Sequence, residues 1–302
     1  MPNPLVSICI PTYNGAQFIK EAMNSALEQT YDNLEIVVSD DASKDDTLKI
    51  IETYRPKANI PILIVHHEPK GIGANWNNCI RNAKGTYIKF LFQDDVLLPQ
   101  CITEMVQIIE SDKNTAIVAS KREFIVEPFF LNDDTRGWVE NMKDLQRTLN
   151  LDYKNGIGYL DNSLFKMDKF FESPYNKVGE PSTILFRKTL VDEIGFFRED
   201  MKQVLDYEFC YRVLPRYRIA IMESKLVKFR LHNLQATVKN KSNDIFFNDH
   251  QIWLFLIYKD YFKYLNWEKK KIFLRRYNKF VNTFYNTIDS IRKFISKLEN
   301  KT

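Results

Sequence analysis

The sequence has no pair of cysteines at CxxC spacing: Cys9, Cys79, Cys101 and Cys210 stand far apart. That excludes a zinc cluster built on cysteine, and buried, reduced thiols in a reducing cytoplasm are the expectation. Long hydrophobic runs are missing too. The longest wholly apolar stretch near the C-terminus, Ile252 to Tyr258, falls far short of the roughly 20 residues that a membrane-spanning helix needs. Met1 to Leu5 shows no basic segment followed by an apolar one, so neither a span nor a secretion leader is expected. A phosphate-binding glycine loop is absent as well. Gly71-Ile72-Gly73 has no third glycine and no closing Gly-Lys-Ser or Gly-Lys-Thr, so it reads as a flexible helix start. No internal repeat and no low-complexity tract interrupts the chain.

What is present fits a folded, enzyme-sized protein: 302 residues, 44% apolar and 27% charged, enough for one large core or one core plus an appendage. The net charge of +4 conceals an asymmetry. Residues 241–302 hold 13 Lys/Arg against 6 Asp/Glu, and residues 1–240 hold 30 against 33. An almost neutral body with a basic, aromatic tail is not the pattern of a nucleic-acid binder, whose Lys/Arg would line the functional face.

Strand and helix patterns alternate through the first 120 residues. Val6 to Ile10 is rich in β-formers, and Phe18, Ile19, Ala22, Met23 and Ala26 recur at helical spacing within Ala16 to Gln29. Glu35 to Ser39 reads as the next strand, giving a βαβ unit. Ser43, followed by acids and then Leu48, Ile50 and Ile51, predicts an N-cap and a second helix. Ile62 to Val65, a helix over Gly73 to Ala83, and a strand over Thr86 to Gln93 follow. A helix through Ile102, Met105, Val106 and Ile109 leads to the apolar run Ala116 to Ala119. Such an order predicts an α/β fold, a mostly parallel sheet with helices on both faces. From Phe124 to Val178 the pattern loosens into turns and short strands, the expected covering of a site. Regularity returns with Thr183 to Phe186, a helix from Gln203 to Leu214 and a strand at Ile219 to Ile221, and the chain is helical from about Asp244.

Two pairs of adjacent aspartates, Asp40-Asp41 and Asp94-Asp95, each follow an apolar strand-like run. Carboxylates at the C-terminal ends of such strands lie where open α/β sheets bind ligands. Neighbouring side chains of an extended segment point to opposite faces, so Asp94 and Asp95 should differ in role. Such a rim is a site for a metal, a nucleotide or both, carboxylate oxygen being suited to a hard divalent ion. Either pair also has a plainer reading as turn or cap residues.

Taken in order, Ile10-Pro11-Thr12-Tyr13-Asn14, Val38 to Ser43, Gly71 to Asn77 with Ala83 to Leu91, and Gln93-Asp94-Asp95 with Pro99 resemble family 2 glycosyltransferases of the GT-A fold. Glu180 to Lys188, Leu205 to Phe209 and Phe229 to His232 continue the resemblance over roughly the first 235 residues. It implies inverting transfer from a nucleoside-diphosphate sugar, a UDP-sugar being favoured, to a hydroxyl of a glycan or lipid-linked glycan in cell-surface polysaccharide assembly, with Mn2+ or Mg2+. By the same resemblance Tyr13 stacks on the base, Asp41 bonds its edge, and Pro11 and Asn14 shape the loop. Asp94 meets the ribose or sugar and Asp95 ligates the metal, with His232 to complete the shell where Phe92 replaces an acid. Arg230 and His232 alternate along an extended segment, so they share a face that could close over the diphosphate or the metal. The family often carries an acid where Phe92 stands and an arginine where Trp76 stands.

Activation of the acceptor hydroxyl needs a carboxylate on the opposite face. Asp206, at the start of an apolar-aromatic helix, has helix capping as its plainer role and Glu208 as the alternative base; the resemblance to the family's acid at this helix start selects Asp206. His66-His67 reads as strand-end surface. The expected organisation is a GT-A domain over residues 1–240, with a nucleotide-binding half (1–120) and an acceptor half (121–240), and a basic aromatic helical extension over 241–302. Phe273, Tyr277, Phe280, Phe284, Ile288, Ile291, Ile295 and Leu298 form one apolar stripe of that extension. It either packs on the domain or a partner subunit, or docks on an anionic membrane at the inner face of the plasma membrane. A sugar nucleotidyltransferase and a non-catalytic binding protein of the same fold are the other readings.

Overall fold

The computed structural model describes residues 3–235 and 244–299. The domain boundary expected at 240/241 lies outside them, as do the side chains of Ile291, Ile295 and Leu298.

In chain order the elements are β1 (Val6–Thr12), α1 (Ile19–Leu27), β2 (Leu34–Asp40), α2 (Thr47–Glu52), β3 (Ile62–His66), α3 (Ile72–Asn82), β4 (Tyr87–Phe90) and β5 (Val96–Leu97). They continue with α4 (Cys101–Ser111), β6 (Thr115–Val126), α5 (Asp133–Met142), β7 (Ile157–Leu160), β8 (Ile184–Arg187), α6 (Leu190–Ile194), α7 (Leu205–Val213) and β9 (Arg218–Leu231). Three helices close the chain: α8 (Ile245–Asp260), α9 (Trp267–Tyr277) and α10 (Lys279–Glu299).

A nine-stranded sheet runs β3-β2-β1-β4-β8-β6-β9-β5, with β7 on β9. β1 to β4 are mutually parallel, and β6 and β9 point the same way through the intervening antiparallel β8. The sheet is therefore mostly parallel in direction, with β5, β7 and β8 reversed. Its buried strands read as continuous apolar runs because both faces are covered. Ile8, Ile10, Ile36 and Val38 pack with α1 and α4 on one face. Cys9, Val37, Ile88 and Phe90 pack with α3 and α7 on the other. The period of two along each strand sorts the side chains between these cores.

Local differences from the sequence pattern have identifiable causes. β4 stops at Phe90, because the backbone of Phe92 turns to donate to Ser182 Oγ at 2.9 Å; residues 91–95 form a loop on the rim instead of strand. Ser43 does not cap α2, which begins after Asp46. Its N–H and hydroxyl both donate to Asp40, at 2.8 and 2.6 Å. β5, too short to be legible in sequence, exists through its pairing with β9.

The helical extension is partly core. Trp253 of α8 is 1% exposed and lies 5.5 Å from the Phe170 ring and 5.6 Å from Tyr207. Phe273 of α9 is buried against Phe171. Beyond it, Phe280 and Phe284 of α10 are 89% and 63% exposed.

Candidate active site

β1, β2 and β4 end together because they are adjacent and in register: Thr12 sits opposite Asp40, and Cys9 opposite Phe90. The loops leaving them are stitched to one another. Asp40 is fully buried and accepts from Thr12 Oγ1 at 2.9 Å as well as from Ser43, so this acid is structural. Asn14, at φ +48°, accepts from Lys44 N at 2.8 Å, and its own N–H donates to Ser43 Oγ at 2.9 Å. Asparagine tolerates this left-handed conformation better than most residues. Pro11 is buried inside β1 opposite Ser39 and shapes the exit of the strand.

Tyr13 then stands on the rim, 49% exposed. Gln93 holds its backbone from both sides, accepting from Tyr13 N at 2.9 Å and donating to Tyr13 O at 3.1 Å. The sequence reading missed Gln93, and its place directly before the aspartate pair was the available signal. Gly15 makes room for it: a Cβ there would meet Gln93 Oε1 at 2.2 Å.

Asp41 is half-buried at the end of β2. His67 Nδ1 lies 3.5 Å from its Oδ1, and both Asp41 Oδ1 and His67 Nε2 are buried without a hydrogen-bond partner. Burial raises the Asp41 carboxyl above its ordinary range, with His67 opposing and Asp40 adding to the shift. The surface role expected for His67 is therefore corrected: it is a part-buried neighbour of Asp41.

The second acid pair divides between core and rim, as neighbouring residues facing opposite ways should. Asp95 is fully buried and accepts from Arg230 N at 3.0 Å. Burial first, and then the Asp94 charge, push its carboxyl well above the usual range. Asp94 faces the rim, and its Oδ2 lies 2.9 Å from His232 Nε2. His232 is thus brought to Asp94, not to Asp95. Arg230 is corrected as well: it is 4% exposed, with its guanidinium engaged by Glu21 at 2.6 Å, by Glu127 and by Asp94 O. Such an arginine underpins the loop and is not free to close over a diphosphate.

The donor set of Asp94 and His232, one carboxylate oxygen and one imidazole nitrogen, fits a divalent ion such as Mn2+. It leaves most coordination positions for substrate oxygens and water. Among the described residues no group of three or more His, Cys, Asp or Glu is arranged to hold a metal. Phe92, where a further acid would stand, instead packs on Trp76 with centroids 5.1 Å apart and the rings tilted by 37°. The two departures from the family pattern touch each other, and Trp76, 7% exposed, belongs to the core.

Asp206 lies in the first turn of α7. Asn176 Nδ2 donates to its Oδ2 at 3.0 Å, and its Oδ1 is buried without a partner. Burial, reinforced by the Glu180 charge, pushes its carboxyl up to about 7. Glu180 also acts on Asp95 and is paired with Arg122 at 2.6 Å, so it stands electrostatically between the two acids. Glu208 is engaged with Arg212 at 3.2 Å on the same helix, which leaves Asp206 as the unpaired carboxyl.

The family profile described as Glycosyl transferase family 2 matches residues 7–172. The chain belongs to glycosyl transferase family 2. An uncharacterised glycosyltransferase of Rickettsia typhi is 32% identical over 240 residues, covering 78% of this family 2 chain and 66% of the relative. The chain thus spans just under two thirds of that relative's length. The fold is the GT-A type. Residues 1–349 of Staphylococcus aureus TarS, solved with UDP-GlcNAc, superpose with TM-score 0.60 at 20% identity, covering 90% of this chain and 71% of that one. The mannosyltransferase PcManGT of Pyrobaculum calidifontis, solved with GDP-Man and Mn2+, gives 0.56 at 18% identity, covering 79% and 60%.

Proposed function

We propose that this family 2 glycosyltransferase moves a sugar with inversion from a nucleoside-diphosphate sugar, a UDP-sugar by preference, to a hydroxyl of a glycan or glycolipid acceptor in cell-surface polysaccharide assembly. The observation that carries the proposal is the adjoining ends of β1 and β2 beside Tyr13 and Asp41, with Gln93 tying the loop of Asp94 and its partner His232 to the Tyr13 backbone. Residues 1–120 would supply the donor side and 121–240 the acceptor side, with 241–302 as the extension.

Tyr13 would offer its exposed ring to the base, and Asp41 would accept an N–H from the base edge. Asp94 and His232 would hold a divalent ion, Mn2+ or Mg2+, which when bound neutralises charge on the departing diphosphate. Asp95, kept buried on the Arg230 backbone, fixes the loop that presents Asp94. Asp206 would take the proton of the attacking hydroxyl at a carboxyl poised near neutrality, where a general base is most effective.

Release of nucleoside diphosphate from UDP-, GDP- and dTDP-sugars, measured with and without Mn2+, tests the reading. Metal-dependent release that falls in Asp94→Asn supports it. No release from any donor, or release indifferent to that substitution, removes it. We further propose that the open Phe280 and Phe284 face, beside Lys270, Lys271 and Lys279, rests on an anionic membrane surface at the cytoplasmic side. No helix among the described residues is long and apolar enough to cross a membrane. Flotation with anionic liposomes at rising salt decides: binding that never occurs, or that ignores salt, discards the surface role.

A further inference from the structure

The start of α8 carries an aromatic cluster that the transfer chemistry above does not use. Phe246 and His250 stack with centroids 5.7 Å apart and planes at 18°. The Tyr175 ring lies 4.5 Å from His250 and 6.2 Å from Phe246. Trp253, buried behind them, touches His250 at 5.2 Å and Tyr175 at 6.2 Å. Phe246 is 45% exposed while Tyr175 and His250 are half-buried, so the cluster is a supported platform with one open side.

Its position relative to Asp206 is set by two hydrogen-bonded links. Asn176, adjacent in sequence to Tyr175 and so about 3.8 Å away along the backbone, donates to Asp206 Oδ2 at 3.0 Å. Asp249, adjacent to His250 and 4% exposed, accepts from Lys202 N and Gln203 N at 2.7 Å each. Lys202 and Gln203 belong to the turn that leads into α7, so α8 is pinned against the entrance of the helix that carries Asp206.

We propose that Tyr175, Phe246 and His250 form an acceptor subsite that stacks one pyranose ring beside Asp206. The inference rests on the transferase reading above and names where its acceptor lies. A pyranose has an apolar C–H face and a rim of hydroxyls. Its C–H hydrogens match the negative face of an aromatic ring, and its hydroxyls need polar partners at the edge. His250 Nδ1 is buried without a partner in the protein, and so is Oδ1 of Asp206, the acid that Asn176 holds. The base of the donor is served elsewhere, by Tyr13 and Asp41 on the β1 and β2 rim, so the platform is left to the second substrate.

The test uses the full chain and a panel of probes, the methyl glycosides of glucose, galactose and N-acetylglucosamine. Binding is titrated by ligand-observed NMR in the presence of UDP and Mn2+. Phe246→Ala is expected to weaken glycoside binding about tenfold, and His250→Ala similarly, while His250→Phe, which keeps a ring, recovers part of the loss. Affinity for UDP with Mn2+ should move less than twofold in all three. Wild type that binds no glycoside overturns the subsite, as does Phe246→Ala binding as tightly as wild type. A wild-type dimer converted to monomer by Phe246→Ala in sedimentation also overturns it, since the platform would then face a second copy. Loss of UDP binding by the wild type itself would instead count against the transferase reading.

Discussion

Replacing Asp206 by Asn should make the protein more stable and less active at once, and the two effects should share one pH dependence. The folded state holds this carboxyl at about 7, against an ordinary value of 3.8, chiefly through burial. An acid whose value is raised on folding binds its proton more tightly in the native state than in the unfolded chain. Between about pH 4 and pH 7 the unfolded chain therefore has the fewer protons, and stability falls as pH rises through that window. Above it, the ionised carboxylate costs at most about 4 kcal/mol, from 1.36 kcal/mol per pH unit of displacement. Asparagine cannot ionise, and its carbonyl oxygen can still accept from Asn176 Nδ2. Asp206→Asn should consequently match wild type near pH 4 and exceed it at pH 8. The gain in melting temperature would be several degrees, at roughly 2 °C per kcal/mol for a chain of this size. Transfer in the wild type should rise with pH through about 7 as the base loses its proton, and the variant should lose about 10² to 10⁴ of the rate and the rising limb with it. Melting curves and donor-release rates across pH 4 to 9 measure both. A variant no more stable than wild type at pH 8, or one that keeps the rising limb, would refute the assignment of Asp206 as a half-buried, titrating base.

Removing His232 with His232→Ala should leave Asp94 as a lone ligand and raise the Mn2+ concentration giving half-maximal donor release about tenfold or more; an unchanged metal requirement would show that the pair does not hold the ion. Gly15→Ala should push Gln93 off the Tyr13 backbone, since the added Cβ falls 2.2 Å from Gln93 Oε1, costing about 1 kcal/mol through the lost hydrogen bonds and raising the donor KM severalfold. Trp253→Ala should cost about 3–5 kcal/mol in denaturant unfolding, because its ring is buried among Phe170, Tyr207 and Tyr211. A loss under 1 kcal/mol would mean that α8 is not part of the core.

Much of the fold was legible because its signals are local. Val6 to Thr12 and Leu34 to Asp40 are uninterrupted β-rich runs, α1 and α4 bury apolar residues at helical spacing, and strand–helix alternation leaves few topologies. β5 and β7 were not legible. A two-residue strand and a four-residue strand carry too little pattern, and they form only because β9, fourteen residues long, offers them an edge. At the site, the sequence placed Asp41, Asp94 and Asp206 at the ends of the right elements. Which member of Asp94-Asp95 turns outward could not be read from adjacency, since alternation gives opposite faces without saying which face is solvent. The distant backbone of Arg230 decided it by binding Asp95. Arg230 itself was misjudged for a related reason: its partners Glu21 and Glu127 lie 209 and 103 residues away.

The sequence alone, then, determined the alternating α/β order, the loops that carry the acids and the family motifs, because periodicity and strand-end chemistry are properties of short stretches of chain. The tertiary structure alone decided which acid is buried, that His232 answers to Asp94, that Phe92 and Trp76 share one contact, and that α8 is pinned to the entrance of α7. Each of these depends on desolvation or contact between segments remote in sequence, and burial is a property that no residue has until the rest of the chain surrounds it.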